Sequence, residues 1–200
     1  MSSAAPKPPS TDDKAFKTEL VALIPHLRAF ARTLTGDATA ADDLAQDAMV
    51  KAWDARASFQ MGTNMKAWTF MILRNQFYSD KRRSWRQSQL DQEAAERTLV
   101  AVDNPEAPVA LDELRLALAS LPEEQREALI LVGAGGFAYE EAAAICDCAV
   151  GTVKSRVSRA RKALLAVLES GGYHRDGKAA GDAMASILGA ADRLSGGYST

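Results

Sequence analysis

The stretch that decides the fold runs from Tyr139 to Val157 and reads YEEAAAICDCAVGTVKSRV. Ala143 stands where two helices would cross, and only a small side chain permits that approach. Four residues later Asp147 falls in the turn, where the backbone often goes left-handed; glycine is favoured there and aspartate is among the tolerated substitutes. Six residues further, Val153 packs back into the angle between the helices. This spacing predicts a helix-turn-helix. At about 100° per residue, Val153, Val157, Ala160 and Leu164 share a sector that must face a core. The opposite sector holds Gly151, Ser155, Ser158, Arg159 and Lys162, flanked by Thr152 and Lys154. No acid occurs from Gly151 to Leu168, whereas a merely solvated helix usually carries Glu beside its Lys. Small hydroxyls next to long cations suit a major groove, where Arg can reach guanine O6 and N7.

Working outward, the chain reads as helices throughout, with no strand pattern. Towards the N-terminus of the motif, helices are expected over 111–120, 122–132 and 139–146, with Pro122 at a first helical turn and Gly133, Gly135 and Gly136 breaking the chain. A last helix spans about 150–169 and ends at Gly171-Gly172. Residues 87–110, Gln- and Glu-rich and then carrying Pro105 and Pro108, read as a linker. Before it, Phe16, Leu20, Leu23, Ile24, Leu27, Phe30, Ala31 and Leu34 recur at helical spacing, with a kink expected at Pro25 and a stop at Gly36. A second helix covers about 39–57, a loop 58–64, and a third helix 65–85. The fold class is therefore all-α: two small helical domains, 12–86 and 111–170, on a flexible linker. Residues 1–11 read as a disordered tail, and 171–200 as a Gly/Ala-rich tail with a weak helix over 179–194.

The net charge of −2 over 200 residues is a sum of opposed blocks. Arg74, Lys81, Arg82, Arg83 and Arg86 form one basic run, and Lys154, Arg156, Arg159, Arg161 and Lys162 another. Acids collect in Asp37, Asp42, Asp43, Asp47 and Asp54, and again between Asp91 and Glu113. Two basic patches on a near-neutral chain are what two-point contact with a polyanion requires.

Other classes find little support. Cys146 and Cys148 cannot form a disulfide framework, and a lone CxC supplies at most two metal ligands; Cys146 reads as buried and Cys148 as a turn residue. His26 and His174 stand in no ligand spacing. No apolar run approaches the roughly 20 residues of a membrane span, and 1–9 lacks the apolar core of a secretory signal, so a cytoplasmic protein is expected. Gly133 to Gly136 lacks the lysine of a phosphate loop. No catalytic group, metal site or cofactor is expected, and no enzyme. A stand-alone helix-turn-helix regulator would leave the first domain without a task, and a mimic that only sequesters an inhibitor would not need the DNA-facing residues.

At GTVKSRVSRAR, residues 151–161, the chain resembles region 4 of the extracytoplasmic-function (ECF) sigma factors of bacterial RNA polymerase. ADDLAQDAMVKAW, residues 41–53, resembles region 2.2, and MKAWTFMILRNQFYSDKRR, residues 65–83, regions 2.3 and 2.4. LIPHLRAFARTLTGD, GTNMKAW and ILRNQFYSDKRR further resemble the alphaproteobacterial general-stress-response subgroup. Asp147 departs from a strict turn glycine, a substitution the turn accepts.

The resemblance implies a promoter-specific initiation factor for a stress response. Its partners would be core polymerase (β′ clamp helices and β flap), promoter DNA and an anti-sigma protein, NepR-like if the subgroup holds. It implies polymerase contacts at Asp43, Leu44, Gln46, Asp47, Val50 and Trp53, although Trp53 also suits a core. For the minus-10 element it implies Phe59 and Asn64 in a loop walling a flipped-base pocket, then Asn75, Ser79, Lys81, Arg82 and Arg83. For the minus-35 element it implies Tyr139, Glu140, Thr152, Lys154, Ser155, Ser158, Arg159 and Lys162. By helical phase Trp68 reads as core, and Tyr78 is left undecided.

Overall fold

The computed structural model describes residues 11–90, 114 and 116–169. The tails and almost all of the expected linker lie outside the described residues. Among those described, every regular element is helical.

The expected kink at Pro25 is a full break. Helix α1 (Thr11–Ala22) ends at Leu23 and α2 (Ile24–Thr35) begins with Pro25 in its first turn, where the missing N–H costs no helical hydrogen bond. Gly36 closes α2 at φ 72°, its N–H donating to the Arg32 carbonyl. Asp37 then caps α3 (Ala38–Asp54), its Oδ1 accepting from the Ala40 N–H at 2.7 Å. The second helix thus stops before 57; residues 56–58 form a 3₁₀ turn instead. Asn64 opens α4 (Met65–Leu90) by accepting from the Ala67 N–H at 3.0 Å. This helix continues past the expected end at 85, since no Gly or Pro follows to stop it.

Helical residues 116–119 lead to Pro122, which is the N-cap of α5 (Glu123–Gly133) rather than its first residue. Gly135 makes the exit possible. A Cβ there would lie 2.5 Å from the Leu131 carbonyl oxygen and 2.9 Å from the Phe137 ring. Helix α6 (Tyr139–Cys146) is capped by Glu141, which accepts from the Ala138 N–H at 2.9 Å. Asp147, at φ 50°, is the one described non-glycine residue with a left-handed backbone. It turns the chain into α7 (Val150–Glu169) as the sequence predicts. Val153, Val157, Ala160 and Leu164 are buried beneath α7, and Ala143 at the crossing is buried too.

The two groups of helices share a core. Phe30 stacks on Phe70 (centroids 4.9 Å apart), and Phe70 meets Phe137 edge-on at 5.0 Å. One apolar cluster therefore runs from α2 and α3 through α4 into α5, α6 and α7. Sequence patterning gave no sign of this contact. A second cluster of Phe16, Leu20, Ala52, Phe59 and Met65, flanked by Trp53 and Trp68, pins α1 onto the first domain.

Candidate promoter and polymerase interfaces

On α3, the 3.6-residue repeat divides the implied polymerase contacts between two sides. Asp43, Gln46, Asp47 and Val50 are exposed, Val50 by 54%. An exposed valine among carboxylates is a surface with apolar content to bury. Leu44 is a correction: it is only 7% exposed and belongs to the core, because it shares the helical phase of Ala41, Ala45 and Ala48. Trp53 is half-buried, its ring 6.1 Å from Phe16 and capped by the Arg56 guanidinium at 4.6 Å. It supports the fold from the rim of that face. Asp42 is taken by Arg28, whose Nε donates to Oδ1 at 2.7 Å. Hydrogen bonding to Arg28 keeps this carboxyl below its ordinary range.

In the loop before α4, Phe59 is a buried side chain that packs edge-on against Phe16 and lies 5.0 Å from Trp68. Beside it a cleft of about 380 Å³ is lined by Asp13, Phe16, Arg56, Ala57, Phe59 and Met61. An Arg56–Asp13 ion pair at 3.1 Å lies among these lining residues. Trp68 is half-buried in the same aromatic group, in agreement with its helical phase. Sequence reasoning missed Asp13, Phe16 and Arg56 here, because they come from α1 and the 3₁₀ turn and meet only in the fold.

Along α4 the implied minus-10 residues separate by phase. Taking Arg74 as zero at about 100° per residue, Arg82, Asn75 and Ser79 fall between about +80° and +140°. Asn75, Arg82 and Arg83 are exposed and Ser79 is half-buried; Arg83 lies 3.7 Å from Asp80. Lys81 falls near −20°, with Arg74, Tyr78 and Phe70, and faces the other domain. Its Nζ is 2.5 Å from Glu123 Oε2. Asn64 has both ends of its amide engaged, one in the α4 cap and the other donating to Glu141 Oε1 of α6.

The centre of the contact is polar. Arg74 Nε donates to Glu127 Oε1 at 2.7 Å, and the Glu127 side chain has no exposed surface. Burial pushes the Glu127 carboxyl above its ordinary value of 4.5, against the pull of Arg74. Tyr78, undecided from sequence, lies here, its ring under the Arg74 guanidinium at 4.6 Å. Burial, then the Glu127 charge, raises its hydroxyl. Lys66 donates to the Gly135 carbonyl at 2.7 Å and sits over the Phe137 ring at 4.9 Å; desolvation lowers its ammonium.

Helix α7 carries an exposed cationic face. Glu140, Lys154, Ser158, Arg159 and Lys162 are exposed, and Thr152, Ser155 and Tyr139 are half-buried between them. Ser155 Oγ donates to the Thr152 carbonyl at 2.9 Å, and Lys154 lies 5.6 Å from the Tyr139 ring centroid. Arg156, on the flank, is tied to Glu124 at 2.6 Å and to Cys148 Sγ at 3.6 Å. It therefore orients α7 rather than meeting a ligand. Among the described residues no group of His, Cys, Asp and Glu could hold a metal, and no helix is long and apolar enough to cross a membrane.

Residues 20–87 match the family model for sigma-70 region 2, and residues 111–164 match that for sigma-70 region 4. The ECF RNA polymerase sigma factor EcfG of Rhodopseudomonas palustris is 49% identical over 160 residues, 80% of this chain and 87% of that protein. The chain belongs to the ECF family of RNA polymerase sigma factors. The sigma-E factor of Escherichia coli is 37% identical over 135 residues, 61% of this chain and 70% of that one. Among solved structures, the sigma factor RpoE of Bartonella quintana, determined with the anti-sigma factor NepR, superposes with a TM-score of 0.70 and 47% identity. That match covers 78% of this chain and 98% of the other. CnrH, solved with the cytosolic domain of CnrY, gives 0.58 and 28%, over 78% and 89%. As a sigma factor of this EcfG-like type, the chain binds core RNA polymerase and directs initiation at promoters.

Proposed function

We propose that residues 12–86 act as region 2 and 111–170 as region 4 of a cytoplasmic, non-catalytic initiation factor, joined through 87–110, with these side chains at work. The exposed Asp43, Gln46, Asp47 and Val50 of α3 bind the polymerase clamp helices, with Trp53 at the edge. On α7, Lys154, Ser155, Ser158, Arg159 and Lys162, with Thr152, Tyr139 and Glu140 beside them, read a paired minus-35 element. Asn75, Ser79, Arg82 and Arg83 hold the opened minus-10 strand, the cations gripping phosphates independently of sequence. The cleft beside Phe59 is the candidate receptor for an extruded base, whose capture offsets the cost of unstacking.

The observation that carries this reading is the α7 face, where Lys154, Ser158, Arg159 and Lys162 stand exposed with no acid of that helix among them. The test is transcription with core polymerase from duplex and pre-melted promoters. Arg159→Ala should lose recognition of a duplex minus-35 element, by about 1–3 kcal/mol, with little effect on a pre-melted template. Asn75→Ala should open poorly and relax the choice at minus-10. Identical defects of both variants on both templates would refute the division of labour.

The RpoE relative was solved bound to NepR, and we propose a NepR-like regulator here, in a general stress response. It would bind both domains at once. Domains 1–90 and 110–170 should then each bind it more weakly than the full chain.

A further inference from the structure

The turn before α4 holds an apolar side chain out in water. The Gln60 carbonyl accepts from the Thr63 N–H at 3.2 Å and from the Thr63 hydroxyl at 2.7 Å. Met61 and Gly62 are therefore the two central residues of a β-turn. Gly62 supplies the positive φ, 89°, that a type II turn requires at its second central position. The turn is tied twice at its base and runs straight into the Asn64 cap of α4, so its shape is preset. A Cβ on Gly62 would meet nothing within 4 Å, which places the tip in open space. Residues 60–64 are all exposed, Met61 by 44%. Among the described residues the exposed large apolar side chains are Val21, Val50, Met61, Trp85 and Leu165, and of these only Met61 borders the cleft beside Phe59. It belongs to neither apolar cluster of the core, so the fold does not account for it.

We propose that Met61 is a wedge that takes the place of the extruded base in the DNA stack. This rests on the reading of the cleft as a base receptor, and adds the step that loads it. Pulling a base out of a duplex bares the faces of its two neighbours, and that unstacking opposes opening. An apolar side chain slid between those faces covers them again; methionine is among the residues that proteins insert between base steps in this way. Its side chain is unbranched, hence slim enough for the gap, and its sulfur packs favourably on aromatic rings. The position on the cleft rim joins the two events. As the base enters the cleft lined by Phe16 and Phe59, Met61 stands next to the place that the base has left. The stapled turn means that little loop entropy is lost when the tip is driven in.

The experiment uses the full chain with core polymerase and one promoter in two forms, duplex and pre-melted across minus-10. The readout is the ratio of duplex to pre-melted transcription, which isolates opening from the holding of an opened strand. Met61→Ala should lower that ratio on the order of tenfold, the effect of an apolar side chain of this size no longer being buried. Met61→Gln keeps the length but ends in a polar group, and should fall nearly as far. Met61→Leu should restore most of the parent's ratio. Met61 is exposed, so far-UV helicity should stay native in all three. A parental ratio in Met61→Ala overturns the proposal, as does a parental ratio in Met61→Gln or a failure of Met61→Leu to recover. Ala57→Phe, which fills the cleft from its lining, tests the receptor separately and should depress transcription from both templates. If it depresses both while Met61→Ala keeps the parental ratio, the wedge alone is refuted. If Ala57→Phe affects neither template, the receptor reading falls and the wedge falls with it.

Discussion

Arg74→Ala should make the stability of this protein steeply dependent on pH. In the parent, the Glu127 carboxylate has no exposed side-chain surface and its close partner is Arg74 Nε at 2.7 Å. The Tyr78 hydroxyl, 3.4 Å away, is beyond the 2.5–3.0 Å of a good O–H···O bond and would compensate little. Removing one partner of a buried pair costs about 3–5 kcal/mol when the other stays charged. Protonation provides a lower-energy escape. Holding a carboxyl neutral above its ordinary value costs about 1.4 kcal/mol per pH unit. From 4.5, that sets a ceiling of about 3 kcal/mol near pH 7.

The sign follows from linkage. A carboxyl raised in the folded state keeps a proton that the unfolded chain releases, so stability falls as pH rises above 4.5 and recovers on acidification. Burial already raises Glu127 in the parent, but Arg74 opposes it, so the parent's slope is shallower. If the domains part and water reaches Glu127, the loss is smaller and its pH sign is unchanged. Denaturant unfolding of both chains at several values between about pH 5 and pH 7.5 provides the measurement. The gap should widen with pH towards the ceiling of about 3 kcal/mol, above a constant offset for lost packing on Tyr78. A gap independent of pH, or one that widens on acidification, would refute the reasoning.

Leu44→Ala should cost about 2–5 kcal/mol of stability as a buried large-to-small change. Val50→Ala on the same helix should leave stability near the parent's and weaken pull-down of core polymerase instead. The Cys146 thiol is buried and pushed up to about 12, chiefly by desolvation. A thiol-labelling time course near pH 8 should therefore modify the half-buried Cys148 first, and Cys146 only with unfolding. Gly135→Ala forces a Cβ to within 2.5 Å of the Leu131 carbonyl oxygen. Calorimetry should find the α5 exit destabilised and the thermal midpoint lowered by several degrees.

The parts of this fold legible in the sequence were those governed by local rules. The left-handed Asp147, the cap at Gly36, the buried row under α7 and the turn at 147–149 each follow from helical phase or backbone sterics within a few residues. Leu44 was misplaced for a simple reason. The family pattern marks which segment meets a partner, while burial depends on which side of a helix or loop the fold turns inward. The cleft beside Phe59 was invisible, because Asp13 and Phe16 reach it across the α1–α2 break at Leu23. Arg74 and Glu127 were hardest. A charge in a basic or acidic run reads as solvated unless its partner is known, and these two are 53 positions apart.

That hidden pair bears on how one chain can serve two DNA sites. Elements centred at minus-10 and minus-35 lie about 25 base pairs apart, roughly 85 Å at 3.4 Å per pair. A compact chain of 200 residues has a radius of gyration of roughly 16 Å, so the closed arrangement cannot reach both. Residues 91–113 provide 23 positions, which at 3.3–3.6 Å each span at most about 80 Å, enough once the domains part. Spanning both elements therefore requires the domains to part, and the composition of the contact suits that. Phe70 and Phe137 supply apolar closure, but a wholly apolar interface would expose a large patch each time it opened, an invitation to aggregation. Arg74, Glu127, Lys66 and Lys81 regain water on opening, so they lose less than apolar groups would. Buried ion pairs add little net stability but do discriminate among arrangements. Here they let the closed form be specific without making it permanent.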